Sequence, residues 1–563
     1  MRTLLRSLPL AALVLAGACG DTAPGSPAPS GAGATPGGSL VIASPAEPDL
    51  LIPGITMTQP GRMATDMMFD RLAEIGDDLN TIGDEGFAPR LARRWAWAAD
   101  SLSIAFELDP RARWHDGRPV RSSDVTFTFG LHRNPSVASP IAAILTNIDS
   151  VTARDSMTAV IWFARRNPEQ FYEAVYHAPI LPSHVYGAEG AGIRTSALAR
   201  QPVGSGRFRF AGWDAGSRME LVSDTANYRG RALLDRVVWT FTPDPTAAIA
   251  RLTAGEADFY EVLPPDQAER IDQMVTVRVF AYPNLQFSFM GMNLRARKGG
   301  AGPHPVFGDV RVRRALSMAV DRGAMLRNVF GAYGPKSYGP FPKGLGVADT
   351  TLELPAFDTA AANALLDEAG WPRGQDGIRR KAGRPLEFSL LVPASSRPRA
   401  SYAVLLQEQF RRIGANVNIE STDFPTFMAR QEARDFDAAL QAYSTDPSAG
   451  GARQQFGSAS ARPGGSNYIM YASPAFDAHA DSALTSHDRA QVRAHMRAAY
   501  RQMIDDAPAI WLYDVLTLGG LHERIRTATM RADEYWAHIA DWYIPEGERL
   551  PRDRIGLGAA VAD

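Results

Sequence analysis

Residues 102–125 read Leu-Ser-Ile-Ala-Phe-Glu-Leu-Asp-Pro-Arg-Ala-Arg-Trp-His-Asp-Gly-Arg-Pro-Val-Arg-Ser-Ser-Asp-Val. Leu102, Ile104, Phe106 and Leu108 recur at every second position, the period of a strand with one face buried. Asp109-Pro110 ends it, because proline has no N–H to give the ladder. Trp114-His115-Asp116-Gly117 then forms a turn, in which Asp can bond its own downstream backbone and Gly supplies a positive φ. Ser122-Ser123-Asp124 offers N-cap chemistry for a helix. Val125, Phe127, Phe129 and Leu131 nevertheless alternate as a strand would, and so short a stretch leaves helix and strand both open. His115 beside Asp116 has the composition of a catalytic pair. Adjacent residues on a turn point apart, however, and no serine or cysteine nucleophile is placed to join them, so the pair is read as part of a surface turn.

The chain around this stretch has 563 residues, too many for one core, which predicts two large lobes or more. Its 59 basic residues are matched by 61 acidic ones, so the electrostatic footprint of a nucleic-acid binder is missing. A hydrophobic content of 45% is ordinary for a soluble globular chain. The ten histidines include no HExxH or comparable pair, and no Ser-His-Asp or metal set is traceable; no catalytic residue, metal or cofactor is expected. Glu256 and Asp258 are read as solvated carboxylates at a helix end rather than as a glycosidase pair.

At the start, Arg2 and Arg6 flank an apolar run from Leu8 to Ala16 that is too short to span a bilayer. With Leu15-Ala16-Gly17-Ala18-Cys19 it resembles a bacterial lipoprotein signal, in which Cys19, the sole cysteine, is lipidated and becomes the first residue. A plain secretory signal is the alternative, since Ala16 stands where a large aliphatic residue is usual. Both imply export, and one cysteine allows no internal disulfide. Residues 20–38 are nearly all Gly, Ala, Ser, Pro and Thr and read as a flexible tether.

Order is expected from a strand at Ser39 to Ser44, followed by a loop containing Glu47, and a helix over 60–74. Phe208 and Phe210 continue as a strand after Gly204-Ser205-Gly206, so those glycines are not a phosphate cradle. Asp244-Pro245 opens a helix that Gly255 ends in the αL role. Residues 286–293 are a strand. Asp309 to Gly323 is the clearest helix, with Val312, Ala315, Leu316, Ala319 and Val320 as its apolar stripe. A further helix runs from Asp358 to Gly370. Leu386–Val392, Tyr402–Ile413 and Ala415–Glu420 form a βαβ unit, which implies parallel pairing. Residues 507–513 are a return strand.

Trp114-His115-Asp116-Gly117-x-Pro119-Val120 followed by Asp124-Val125 resembles the signature of the family 5 extracellular solute-binding proteins, the peptide, dipeptide, nickel and oligosaccharide binders that serve ABC importers. Further stations follow in the same order: Pro89-Arg90-Leu91-Ala92-Arg93-Arg94-Trp95, Pro179 to His184, Pro202 to Phe208 with Arg207 in place of the usual proline, Gly255-Glu256-Ala257-Asp258, and Val312 to Arg322. The resemblance covers residues 39–545. It implies an α/β, two-lobe periplasmic-binding-protein-like fold (type II, cluster C-like) with a hinged ligand cleft. Lobe I would be discontinuous, 39–288 and 514–545; lobe II would be 289–513; two strands crossing near Met290 and Leu512 would form the hinge; 546–563 would be a C-terminal tail.

In peptide-binding members an aspartate in a Gly-Trp-x-Ala-Asp segment pairs with the peptide's amino end. Ala442-Tyr443-Ser444-Thr445-Asp446 occupies that segment here, so Asp446 is either that anchor or the cap of an Asp-Pro turn. The candidate ligand-binding residues are Asp446, Tyr443, Ser444 and Thr445, with Ser44, Glu47 and Asn467. The implied function is capture of an oligopeptide or similar small solute outside the inner membrane and delivery to an ABC transporter permease, by a monomer held to the membrane through Cys19. A nickel chelate or an oligosaccharide is the alternative ligand, and an exported hydrolase the alternative class.

Overall fold

The computed structural model describes residues 34–300 and 302–554. The signal, Cys19 and most of the expected tether lie outside the described residues. Ten strands form the main sheet: β1 (Ser39–Ser44), β2 (Phe208–Asp214), β3 (Arg218–Ser223), β4 (Arg236–Phe241), β5 (Phe259–Tyr260), β6 (Val277–Met292), β7 (Glu387–Pro393), β8 (Asn416–Thr422), β9 (Ala438–Ser444) and β10 (Ala509–His522). Their order is β8-β7-β9-β6-β10-β5-β1-β4-β3-β2. At its centre β6 and β10 run antiparallel, with register shifts between Pro283 and Phe287 and between Ser288 and Phe289. The expected βαβ unit is present: β7 and β8 pair in parallel, joined by a helix at Arg397–Arg412.

Alternation along the strands feeds both faces of this sheet. Phe287, Phe289 and Trp511 enter one apolar cluster, while Met290, Met292, Ile510 and Leu512 enter another. Leu40 and Ile42 divide from Val41 and Ala43 in the same way. A sheet buried on both faces needs near-continuous apolar runs, which is what these strands carry. The largest cluster gathers residues between Leu40 and Leu285 together with Leu521 to Ile544. The clusters at the other end draw on residues 287–515, with Ile82 added.

The Trp-His-Asp-Gly stretch is a bracing point. The strand before it is Ser103–Leu108, inside a separate four-stranded sheet. Gly117 has φ +87°, as the turn requires. The indole of Trp114, itself buried, donates to Asp124 Oδ2 (3.1 Å), which also accepts from the Arg121 backbone (2.9 Å). Asp124 Oδ1 accepts from the Ser183 backbone (2.9 Å) and hydroxyl (2.6 Å). His115 and Asp116 do point apart. His115 Nδ1 accepts from the Gly204 backbone (3.1 Å) and Nε2 meets the Gly206 carbonyl (3.0 Å), whereas Asp116 bonds His184 (2.6 Å). Burial holds the His115 imidazole below its usual pKa, which suits this neutral bridging role. Gly204 and Gly206 serve close approach: a Cβ at Gly204 would lie 1.9 Å from the Met68 carbonyl oxygen.

Several expected boundaries are corrected. Residues 122–133 are a helix whose N-cap is Arg121 rather than one of the serines. Val125, Thr128, Phe129 and His132 line its buried side, so the polar Thr and His completed the helical stripe that the apolar residues alone disguised. The helix expected over 60–74 is Gln59–Met68; Phe69 turns extended, and the Met68 carbonyl accepts from Ser205 and Gly206 instead of continuing the helix. Asp309–Gly323 divides into Val310–Met318 and Arg322–Phe330, because Asp321 caps a second helix and Arg322 reaches across to the Trp511 carbonyl (2.8 Å).

The chain ends are also more deeply built in than expected. Gly37 donates to the Leu233 carbonyl (2.8 Å) and Gly38 to Asp235 (3.1 Å), so order precedes Ser39. Residues 546–554 of the expected tail are packed against the body. Arg524 donates to both oxygens of Asp258 (2.7 and 2.9 Å) and to Asp553 (2.6 Å), and Asp553 accepts from the Ser39 backbone (2.9 Å). Arg552 adds a bond to Asp258 (2.6 Å). Asp258 is wholly buried, so it is the centre of an ion network rather than the solvated carboxylate expected.

Two outcomes follow from these buried charges. Asp258→Ala leaves Asp553 as the one carboxylate for the buried Arg524, takes the partner from Arg552, and lowers the unfolding free energy by about 3 kcal/mol, measured by urea titration. Asp514, on β10, is lifted by burial from 3.8 to about 7, against the opposing pull of the Lys343 backbone N–H and charge. A raised carboxyl binds its proton more tightly folded than unfolded, so its contribution falls as pH climbs through that window. Asp514→Asn is therefore more stable than wild type above the window by on the order of 4 kcal/mol, and matches it at acidic pH where both forms are neutral.

Candidate ligand-binding cleft

Where β9 ends, the Thr445 backbone donates to the Leu285 carbonyl (2.8 Å), drawing the Asp446-Pro447 turn over the irregular stretch of β6. A cavity of about 590 Å³ opens there. Ser444, Thr445, Asp446 and Pro447 line it together with Asn284, Leu285, Gln286 and Thr517. The facing wall comes from residues 53–71, 140–141, 176–179 and 533–536. Size and mixed lining suit a small organic solute.

The facing wall is charged and tightly bonded. Arg71 donates to the Tyr176 carbonyl (2.6 Å) and Asp66 (3.0 Å), and stands 3.8 Å from Glu534. The Trp536 indole donates to Asp66 (2.9 Å), and the Tyr176 hydroxyl to Asp533 (2.7 Å). Burial, then the charge of Asp66, pushes the Glu534 carboxyl well above its usual range. Behind Gln59, Tyr282 and Tyr535, Glu261 is nearly inaccessible and lifted by burial to about 7, with Oε2 accepting from Gln59 (2.9 Å).

Asp446 lacks a cation. Its Oδ1 accepts from the Ser448 backbone (3.0 Å), and among the described residues no Lys, Arg or His forms an ion pair with it. Burial raises its carboxyl pKa. Glu169 approaches from the other side, accepting from the hydroxyls of Ser448 (2.6 Å) and Thr81 (2.7 Å). Burial lifts Glu169 to about 6, and the charge of Asp446 adds to the shift. Two carboxyls thus share one serine with no counter-ion beside them.

The residues singled out in the sequence divide. Ser444, Thr445 and Asp446 come together in the cavity. Tyr443 stands behind it, its ring 5.0 Å from Phe289 and its hydroxyl donating to the Ser466 carbonyl (3.2 Å). Ser44 is fully buried and donates to the Ala46 carbonyl (2.8 Å). Glu47 accepts from the Trp213 indole (2.7 Å), away from the cavity. Asn467 is fully buried and donates to the carbonyls of Phe456, Gly457 and Tyr471 at 2.8–3.1 Å, which makes it a loop brace. The facing wall, above all Asp533-Glu534-Tyr535-Trp536, was not found from the sequence; its dense run of acidic and aromatic residues near the chain end was the available signal. No group of three or more His, Cys, Asp or Glu among the described residues could hold a metal ion, and no described helix is long and apolar enough to cross a membrane.

Comparison with known proteins gives this cavity its context. The chain is similar to Protein XP55 of Streptomyces lividans (30% identity over 510 residues, 88% of this chain and 87% of the relative). It is also similar to the oligopeptide-binding protein AppA of Bacillus subtilis (25% over 529 residues, 91% and 92%). The solved structure of AppA with a nonapeptide superposes with a TM-score of 0.70 at 23% identity, covering 91% of this chain and 100% of that one. The ABC transporter substrate-binding protein CtaP of Listeria monocytogenes gives 0.76 at 21% identity, with 91% and 100% covered. These likenesses establish the mixed α/β fold of periplasmic binding proteins. Residues 86–461, more than half of the chain, match the family described as bacterial extracellular solute-binding proteins, family 5, a family of binding proteins rather than enzymes, and the chain belongs to it.

Proposed function

We propose that this protein captures a peptide with a free amino end in the cleft and delivers it to an ABC transporter permease, acting as a monomer tethered through a lipidated Cys19. The observation that carries the peptide reading is Asp446: a half-buried carboxylate on the cavity wall, with no ion pair to a described cation, and pressed by Glu169. A ligand ammonium there relieves both carboxyls at once. The nonapeptide bound by AppA supports the same ligand class, and the description of CtaP supports the transporter.

The division into lobe I (39–288 and 514–545, extended here to 554) and lobe II (289–513) is supported by the separate apolar clusters. The register shifts of β6 and the crossing of β10 suit a hinge between them. Closure is then a population shift, driven by whatever the ligand gains in the closed form over the open one.

Asp446→Ala is expected to weaken a peptide by roughly thirty-fold or more, because truncating one partner of a buried charge pair costs about 2–5 kcal/mol. Acetylating the peptide's amino end costs a similar amount, and the two losses do not add. Calorimetry reads both. Affinity within about two-fold of wild type would make Asp446 a turn cap and point to a solute without a free amine, such as a nickel chelate or an oligosaccharide. Independently, Cys19→Ser is expected to move the protein from the membrane fraction to the soluble one; an unchanged membrane fraction rules out the lipid tether.

A further inference from the structure

Next to the cleft lies a second cavity of about 400 Å³, sharing Asp66, Arg71, Glu534 and Trp536 with the first as a common wall. Its lining also carries Arg90, Arg207 and Arg229. Their N–H groups are unequally used. Arg207 spends all three nitrogens, on Asp541 (2.6 Å) and on the carbonyls of Gly230 (3.2 Å) and Arg231 (2.7 Å). Arg229 donates through Nη2 to Asp70 and leaves Nε buried with no partner. Among the described residues the Arg90 side chain donates only to the carbonyl of its neighbour Pro89 (3.3 Å), and it stands 4.0 Å from Glu74, within ion-pair reach but beyond hydrogen-bond range.

The acids of the same cavity are already engaged. Glu74 accepts from Arg531 (2.6 Å) and Asp66 from Arg71 (3.0 Å). Asp541 holds Arg207, and Glu534, with its raised pKa, accepts from Arg531 (3.1 Å). His538 is turned to Asp77 (2.7 Å). What is left over is therefore donors, on two guanidinium groups that repel each other. Burial and the charge of Arg229 both pull the Arg90 pKa below its usual value. Both side chains keep about a quarter of their surface open (23% and 24%), so a solute can reach their outer nitrogens, though not the buried Nε of Arg229.

We propose that the Arg90–Arg229 end of this cavity is an oxyanion subsite, taking a carboxylate or a phosphate group. The planar guanidinium fork matches both groups, and an oxyanion would satisfy the spare donors and separate the two cations. The anion is either free in solution or the carboxylate of a solute that reaches past Trp536 from the cleft. Neither source depends on the ligand in the cleft being a peptide.

Calorimetric titration of the mature protein with inorganic phosphate and with succinate, at constant ionic strength, tests this. Saturable binding of at least one probe is expected. Arg90→Gln should weaken it by about tenfold or more, the worth of a charge-assisted hydrogen bond. Arg90 has so little holding it that this variant should unfold in urea as wild type does. Arg229→Lys, which keeps the charge beside Asp70 but loses the fork, supplies a second variant and should weaken binding as well. Phosphate binding tighter than succinate marks a free anion as the occupant; the reverse order marks a solute-borne carboxylate. Absence of saturable binding by both probes, or wild-type affinity in Arg90→Gln, overturns the proposal.

Discussion

Residues 277–292 and 509–522 lie more than two hundred positions apart, yet pair along most of their length at the centre of the sheet. The other eight strands of that sheet extend from this pair on either side. The first side of the sheet is built outward from β10 through β5 and β1, the second from β6 through β9 and β7. Such a pairing closes a long loop, whose entropic cost must be met before any local gain. The strands meet it by burying both faces: Phe289 packs 5.2 Å from the Trp511 ring on one side, while Met290 and Ile510 enter the cluster on the other. Where the register slips, between Pro283 and Phe287, the cleft opens. The irregularity and the cavity are one feature.

Charge organisation divides along the same line. Outside the cleft lining, Arg524 meets Asp258 and Asp553, and each of these three charges has an opposite charge beside it. Around the cleft the wall that carries Asp66 and Arg71 is paired in the same way, but four other acids are not. Glu261 and Asp514 are buried and Asp446 and Glu169 half-buried carboxyls, whose pKa values rise because nothing nearby stabilises the ionised form as well as water would. Structural ion pairs and cleft acids are thus told apart by whether burial is compensated. Uncompensated burial is what a binding site retains for a ligand to relieve.

Some elements were legible because they rest on a local rule, while the two central strands, read as 286–293 and 507–513, run over Val277–Met292 and Ala509–His522. The βαβ unit at 386–420 followed from period and spacing, and Gly255 and Gly370 do take positive φ. Errors arose where a distant group decides. Residues 125–131 look like a strand until Thr128, bonded to the Leu181 backbone (2.9 Å), and His132 are counted as buried. The helix at 59–68 stops where a loop some 137 residues later takes the Met68 carbonyl, as the Ser205 bond shows. Asn467 attracts attention as a polar loop residue, but it is spent on three carbonyls, which only the fold reveals. The cleft itself was half legible. Ser444, Thr445 and Asp446 came from the segment resemblance, whereas the Asp533–Trp536 wall was marked only by its run of acidic and aromatic residues, which does not say what that run faces.

The residues that identify the family and the residues that face the ligand are largely different sets. Trp114, His115, Asp124, Ser183 and Gly204 bond to one another, and none of them lines the cavity. Their side chains are fixed by the geometry of a joint among a turn, a helix start and a glycine loop, where a Cβ at Gly204 has no room. Such a joint tolerates little change whatever the protein binds. The side of the cavity wall built from residues 284–286, 444–447 and 517 has no comparable constraint: Ser444 is exposed, Asn284 and Thr517 bond to each other (2.9 Å), and the Asp446 side chain bonds only within its own turn. A chain can therefore keep the joint and exchange the wall. Resemblance at the joint carries the fold, and the chemistry of the ligand has to be read from the uncompensated charges of the cleft.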